Sequence, residues 1–255
     1  MKSFAIAGLA VTALIAPAMA ADMAPLPYKA PVPVTNWTGC YVGADAGAAW
    51  SAQDVANSAP SSLDQAGVVG TINGAGPVGG GYAGCNLQVT PVWVVGLEGD
   101  FSATHLGGSA NAINVLANGS PTTFGGIQWT SRLNWIATVR GRVGYVFAPD
   151  LMFFVTGGAA WGASNYRSFD VFAPGCPVCG GTTFSETNAG YVAGLGFDWT
   201  PWHNNWIVRM EYLYHNLGGT TATAALTPPL TGVAANPVWK DIVVQSARLG
   251  LSYKF

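Results

Sequence analysis

Charge is the scarcest thing in this sequence. Only 9% of the 255 residues are charged, although 50% are hydrophobic, and a soluble domain carries about a quarter. So little charge cannot cover an ordinary water-facing surface. Long apolar runs are missing too: beyond residue 20 no stretch reaches the roughly 18 residues that a membrane-spanning helix needs. An apolar chain without a helical span fits a bilayer only as a closed β-barrel. Ten Lys+Arg against twelve Asp+Glu leave no basic face, which argues against nucleic acid as a partner. Histidine is limited to His105, His203 and His215. Neither His105 nor His215 has a serine two residues on, and no nucleophile, base and orienting group stand out together. No enzyme, metal or cofactor is expected. The run Gly74-Ala75-Gly76-Pro77-Val78-Gly79 matches a dinucleotide-binding pattern by letter. Pro77 denies it the helix that the pattern's mechanism requires.

Cysteine is sparse, and its four positions are Cys40, Cys85, Cys176 and Cys179. They fit an oxidising compartment. The Cys176 to Cys179 CxxC could serve redox chemistry or a metal. Its surroundings, Pro174, Gly175, Gly180 and Gly181, favour a plain loop disulfide instead.

What is present begins with a leader. Lys2, an apolar stretch over residues 4–15 and Ala18-Met19-Ala20 form a secretory signal peptide, cleaved after residue 20. Residues 21–36 hold Pro25, Pro27, Pro31 and Pro33, so they form neither a helix nor an interior strand. They read as a periplasmic lead-in to a domain over residues 37–255.

Residues 131–145 show the pattern that organises this domain. The odd positions are mostly apolar and include Leu133, Trp135, Val139, Val143 and Tyr145. The even positions carry Arg132, Arg140 and Arg142. Period-two alternation puts the two sets on opposite faces of a strand. After the turn Ala148-Pro149-Asp150, the apolar set resumes with Leu151, Phe153, Val155, Ala159 and Trp161. Arginines that share an interior while tryptophans point away mark a barrel in lipid.

The same alternation predicts eight strands, at about 37–50, 78–89, 92–104, 131–145, 151–161, 187–199, 206–215 and 240–255. Four long connections alternate with three short turns, as in outer-membrane barrels with extracellular loops and periplasmic turns. A ten-strand count follows only if residues 68–72 pair. Trp93 and Phe101, Phe153 and Trp161, and Tyr191 and Trp199 are each eight residues apart. At ~3.3 Å per residue and a tilt of ~40° that is ~20 Å, close to the height of an aromatic-bounded apolar band. The fold class is therefore an all-β, eight-stranded antiparallel up-and-down transmembrane barrel.

Parity turns Asp45, Glu98, Asp100, Asp198 and Glu211 inward, against Arg132, Arg140, Arg142, Arg209, Arg248 and Lys254. Eight strands leave an interior just wide enough for side chains. A satisfied charge network that fills the barrel is favoured over a selectivity lining or proton path. Glu98 and Asp100 on the third strand, with Arg140 and Arg142 on the fourth, are expected at its centre. Cys40 opens the first strand and Cys85 closes the second, both facing out at the periplasmic end. That register predicts a Cys40–Cys85 bridge, with Cys176–Cys179 closing a loop.

Several segments carry a resemblance. They are Trp37-Thr38-Gly39-Cys40-Tyr41-Val42-Gly43, Thr138-Val139-Arg140-Gly141-Arg142-Val143-Gly144-Tyr145, Thr156-Gly157-Gly158-Ala159-Ala160-Trp161-Gly162 and the terminal Ser252-Tyr253-Lys254-Phe255, with Tyr28-Lys29-Ala30-Pro31 before them. In these the chain resembles the small outer-membrane β-barrel family of alphaproteobacteria, the porin-family or OmpA-like N-terminal barrel type. The resemblance implies an integral outer-membrane location among lipid and lipopolysaccharide. It also implies insertion by the barrel-assembly machinery, which reads terminal aromatics such as Tyr253 and Phe255. A monomer is favoured. The expected role is structural, in envelope integrity and loop display. The alternatives are a narrow channel for small solutes or ions and, more weakly, a loop-borne adhesin or receptor.

Overall fold

In the computed structural model the described residues are 35–57, 67–115, 121–171, 181–202, 205–221, 224–225, 234–235 and 237–255. The expected signal peptide, nearly all of the lead-in, and Cys176 and Cys179 with their expected bridge lie outside them. Eight long strands follow in chain order. They are β1 (Gly39–Asn57), β2 (Gly67–Gln88), β3 (Trp93–Val115), β4 (Pro121–Ala148), β5 (Leu151–Val171), β6 (Gly181–Trp199), β7 (Trp206–Leu217) and β8 (Pro237–Lys254). Each pairs antiparallel with the next, and β8 returns to pair with β1. The ring closes at the terminus, where the Phe255 N–H donates to the Cys40 carbonyl at 2.9 Å. Closure removes the exposed edges that an open sheet would offer. Short pieces decorate the β7–β8 connection: Thr220–Thr221 pairs with β8, and Ala224–Ala225 with Ala234–Ala235.

The outward and inward sets alternate as expected through the central stretch. Leu97, Phe101, Val139, Val155, Leu195 and Leu249 are exposed on the wall, while Asp45, Glu98, Arg140, Asp198 and Arg248 are buried. Aromatic pairs ring the lower rim, such as Trp93–Tyr145 and Trp206–Tyr253 with centroids 5.2 and 5.3 Å apart. Phe101–Trp135 stack at 5.6 Å at the upper rim.

Strand length is the first departure from expectation. Strands run from 12 residues in β7 to 28 in β4, although about 9–11 suffice to cross a bilayer. Much of what reads as long loop is therefore paired. Residues 68–72 continue β2 rather than adding a strand. The β3–β4 ladder extends to Val115↔Pro121, and the β5–β6 ladder to Phe169↔Gly181. Above the upper aromatics the pattern changes sign. Leu106, Leu133, Tyr166 and Trp239 are buried, while His105, Ser109 and Arg167 are exposed. This is the arrangement of a water-facing sheet, apolar within and polar without, so a search for apolar outward residues stops at the membrane edge.

The second departure is one residue in β4. Against β5 the register passes from Trp135↔Ala163 directly to Leu133↔Ser164, leaving Asn134 as an inserted bulge. A bulge shifts the alternation by one residue. Leu133 and Ser131 therefore turn inward and Arg132 turns out, exposed. Arg132 is not part of the lumen network.

Candidate functional site: the charge network in the lumen

Inward side chains form three layers. At the periplasmic end lie Trp37, Val94, Val146, Met152 and Ile207, all buried together. Trp37 is tied in place where its N–H donates to Gln88 Oε1 at 3.1 Å. The extracellular half is filled by a larger apolar cluster that includes Val55, Ile72, Leu106, Trp129, Leu213 and Trp239. Between them sits the charged layer.

The strand register builds the first contacts of this layer. Glu98 lies directly opposite Arg140 across β3–β4, and Asp198 opposite Arg209 across β6–β7. The barrel is narrow enough for these pairs to meet across its interior. Glu98 is the hub. Its Oε1 accepts from Arg140 Nη2 at 2.6 Å, and its Oε2 takes Arg142 Nη1 at 3.4 Å as well as Arg209 Nη1. Asp198 is shared by Arg142 Nη2 at 2.6 Å and Arg209 Nε at 2.7 Å. Asp100 meets Arg140 at 3.3 Å and Arg248 at 3.2 Å, and it accepts a hydrogen bond from the Thr138 hydroxyl. Glu211 reaches Arg140 at 3.4 Å. Asp45 is the loosest member, 3.8 Å from Arg248.

Glu98, Asp100 and Arg140 thus meet as expected, and Arg142 joins them through Glu98 while its other terminal nitrogen takes Asp198. Lys254 stands apart at the periplasmic rim, where its amino group donates to the Asn36 carbonyl. Five carboxylates therefore face four guanidiniums in the described lumen. Buried charges are tolerable only when so paired, and a pair adds little net stability over an apolar one. Removing one partner, by contrast, strands the other at considerable cost.

Several members escape a reading that counts charges alone. The Tyr41 hydroxyl donates to Glu98 at 2.6 Å and accepts from Arg142 at 2.8 Å. The Arg142 guanidinium lies 3.9 Å from the Phe154 ring centre, and that of Arg209 lies 4.5 Å from the Tyr82 ring centre. Rings beneath the guanidiniums stabilise them without adding a countercharge. Parity already turns Tyr41, Tyr82 and Phe154 inward, so the signal was there. Glycine makes room for the rings. A Cβ on Gly84 would stand 2.6 Å from the Tyr41 hydroxyl, and one on Gly250 would stand 2.8 Å from that of Tyr82.

Cys40 and Cys85 lie directly opposite in the β1–β2 register and are bonded. His215 is buried inward and His105 lies on the outer wall; His203 is outside the described residues. Tyr253 and Phe255 are exposed on the outer wall. Among the described residues no group of three or more His, Cys, Asp and Glu is placed to hold a metal ion.

Known proteins supply the context for this geometry. The 31 kDa outer-membrane immunogenic proteins of Brucella melitensis and Brucella suis are each 32% identical to the chain over 262 residues, spanning 100% of both. Two solved structures are similar at low identity. OprG of Pseudomonas aeruginosa is 13% identical, with a TM-score of 0.46 and coverage of 87% of this chain and 100% of that one. The outer membrane protease OmpT of Escherichia coli is 11% identical, with a TM-score of 0.49 and coverage of 85% and 97%. Residues 6–255 match the family described as the outer membrane protein beta-barrel domain. The chain is an outer-membrane protein and belongs to that family.

Proposed function

We propose that this protein is a structural component of the outer membrane, contributing to envelope integrity and displaying surface loops, with its lumen plugged. The observation that carries this reading is the layering of the interior. A dense ion-pair network lies between apolar clusters at its periplasmic and extracellular sides. A solute or ion channel needs a continuous polar path, and each apolar layer opposes one. The groups of the network are guanidiniums and carboxylates committed to one another, which supports a filler over a catalytic site. Loop display draws support from the description of the Brucella relatives as immunogenic.

The reading is tested in cells that lack the chain. They should take up a hydrophobic fluorescent dye faster than cells that have it. A version with residues 116–120 replaced by a short glycine-serine link should restore the barrier, since the wall and its filling carry the role. Unchanged dye uptake after deletion would contradict the proposal.

A further inference from the structure

The arginine that the bulge turns outward is the starting point. Above the stacked pair Phe101–Trp135, the outer wall of β3 and β4 carries a recess of about 460 Å³ lined by His105, Gly107, Ser109, Gln128, Thr130 and Arg132. Arg132 stands three residues above Trp135. At ~3.3 Å per residue and ~40° tilt that is ~8 Å along the barrel axis. The aromatic girdle marks the edge of the hydrocarbon, so this height is that of the lipid headgroups in the outer leaflet. The recess faces the leaflet and not the lumen.

Its chemistry is cationic and rich in donors. Neither Arg132 nor His105 makes an ion pair or hydrogen bond to a described residue. Arg167 is exposed on the adjoining strand β5, directly opposite Thr130. His105, Arg132 and Arg167 thus stand on three adjacent strands. Of the nine Lys+Arg that remain beyond Lys2, four fill the lumen, so Arg132 is one of the few left for the outer wall. Arg132 lies over Gly107, where a Cβ would be in ordinary contact 3.5 Å from its Nε. The Ser109 and Thr130 hydroxyls and the Gln128 amide add neutral donors. A planar guanidinium with such neighbours suits a phosphate oxygen, which it can take with two parallel hydrogen bonds.

We propose that this recess binds the phosphate of a glycolipid headgroup in the outer leaflet, with the lipid's acyl chains lying against Phe101 and Trp135. Arg132 is the principal contact, and Thr130 and Ser109 are positioned to complete the shell. The site fastens the barrel to its surrounding leaflet at one azimuth. It depends on the outer-membrane location alone and stands whether or not the lumen conducts.

The test uses the refolded mature chain in detergent micelles, with bisphosphorylated lipid A and its dephosphorylated form as probes, and native mass spectrometry as the readout. The wild type should prefer the phosphorylated lipid by roughly fivefold or more, the size expected for a charge-assisted contact. Arg132→Gln and Thr130→Glu should each reduce that preference to less than about twofold. Arg132→Lys, which keeps the charge but loses the two parallel hydrogen bonds, should fall between the wild type and Arg132→Gln, and Lys240→Gln, on the far β8, should leave the preference unchanged. Folding of every variant is checked by its heat-dependent migration on gels. Equal binding of the two lipids by the wild type, or an undiminished preference in folded Arg132→Gln and Thr130→Glu, would overturn the proposal.

Discussion

Asp198 is fully buried, and both of its oxygens are taken by arginines, Arg142 at 2.6 Å and Arg209 at 2.7 Å. Arg140 is held in the same way by Glu98, Asp100 and Glu211. Truncating such a residue leaves its partners charged and unmatched, and breaking a buried pair in this way costs about 3–5 kcal/mol. Arg140→Ala is therefore expected to lower stability by that amount in urea-dependent refolding into lipid vesicles. Arg132→Ala, at an exposed position outside the network, should change it by no more than about 0.5 kcal/mol. The two substitutions delete the same side chain on one strand, eight residues apart. Comparable losses from both would place Arg132 in the lumen and remove the bulge at Asn134.

Most strands are a crossing with a paired extension above it, whereas β7 is little more than a crossing. The crossing was legible because lipid demands apolar residues on one face and the lumen allows polar ones on the other. The same rule brought Glu98, Asp100, Arg140, Arg209 and the Cys40–Cys85 bridge to their observed places. It fails where its physical cause ends. Beyond Phe101 and Trp161 both faces meet a different solvent, so Leu106 and Tyr166 turn inward and Ser109 and Arg167 outward. Asn134 defeats it for another reason, since an inserted residue leaves no mark in composition or period. The periplasmic apolar layer was missed because Val94, Met152 and Ile207 sit among apolar neighbours of the opposite face. The extension can be tested by cross-linking. Asn165 and Ser185 face each other across β5–β6, with Ser185 Oγ donating to Asn165 Oδ1 at 2.6 Å. The double variant Asn165→Cys, Ser185→Cys should form a disulfide on refolding under air, with dissolved oxygen as the oxidant, and Asn165→Cys, Glu186→Cys should form far less. Equal yields from the two pairs would mean that this stretch is not a fixed ladder.

At the scale of the whole molecule the wall and its filling divide the work. The wall closes by pairing β8 onto β1, and its outward aromatics set its height in the bilayer. The filling replaces a water column with Trp37 and its apolar neighbours below, paired charges in the middle and a larger apolar core above. On the proposed reading, eight strands hold that filling and leave no pore. The most direct test of this sealed lumen is single-channel recording from refolded, purified mature protein in a planar bilayer over a series of salt concentrations. The expected result is a closed baseline with at most rare, small openings. A large, steady conductance that rises in proportion to salt would contradict it.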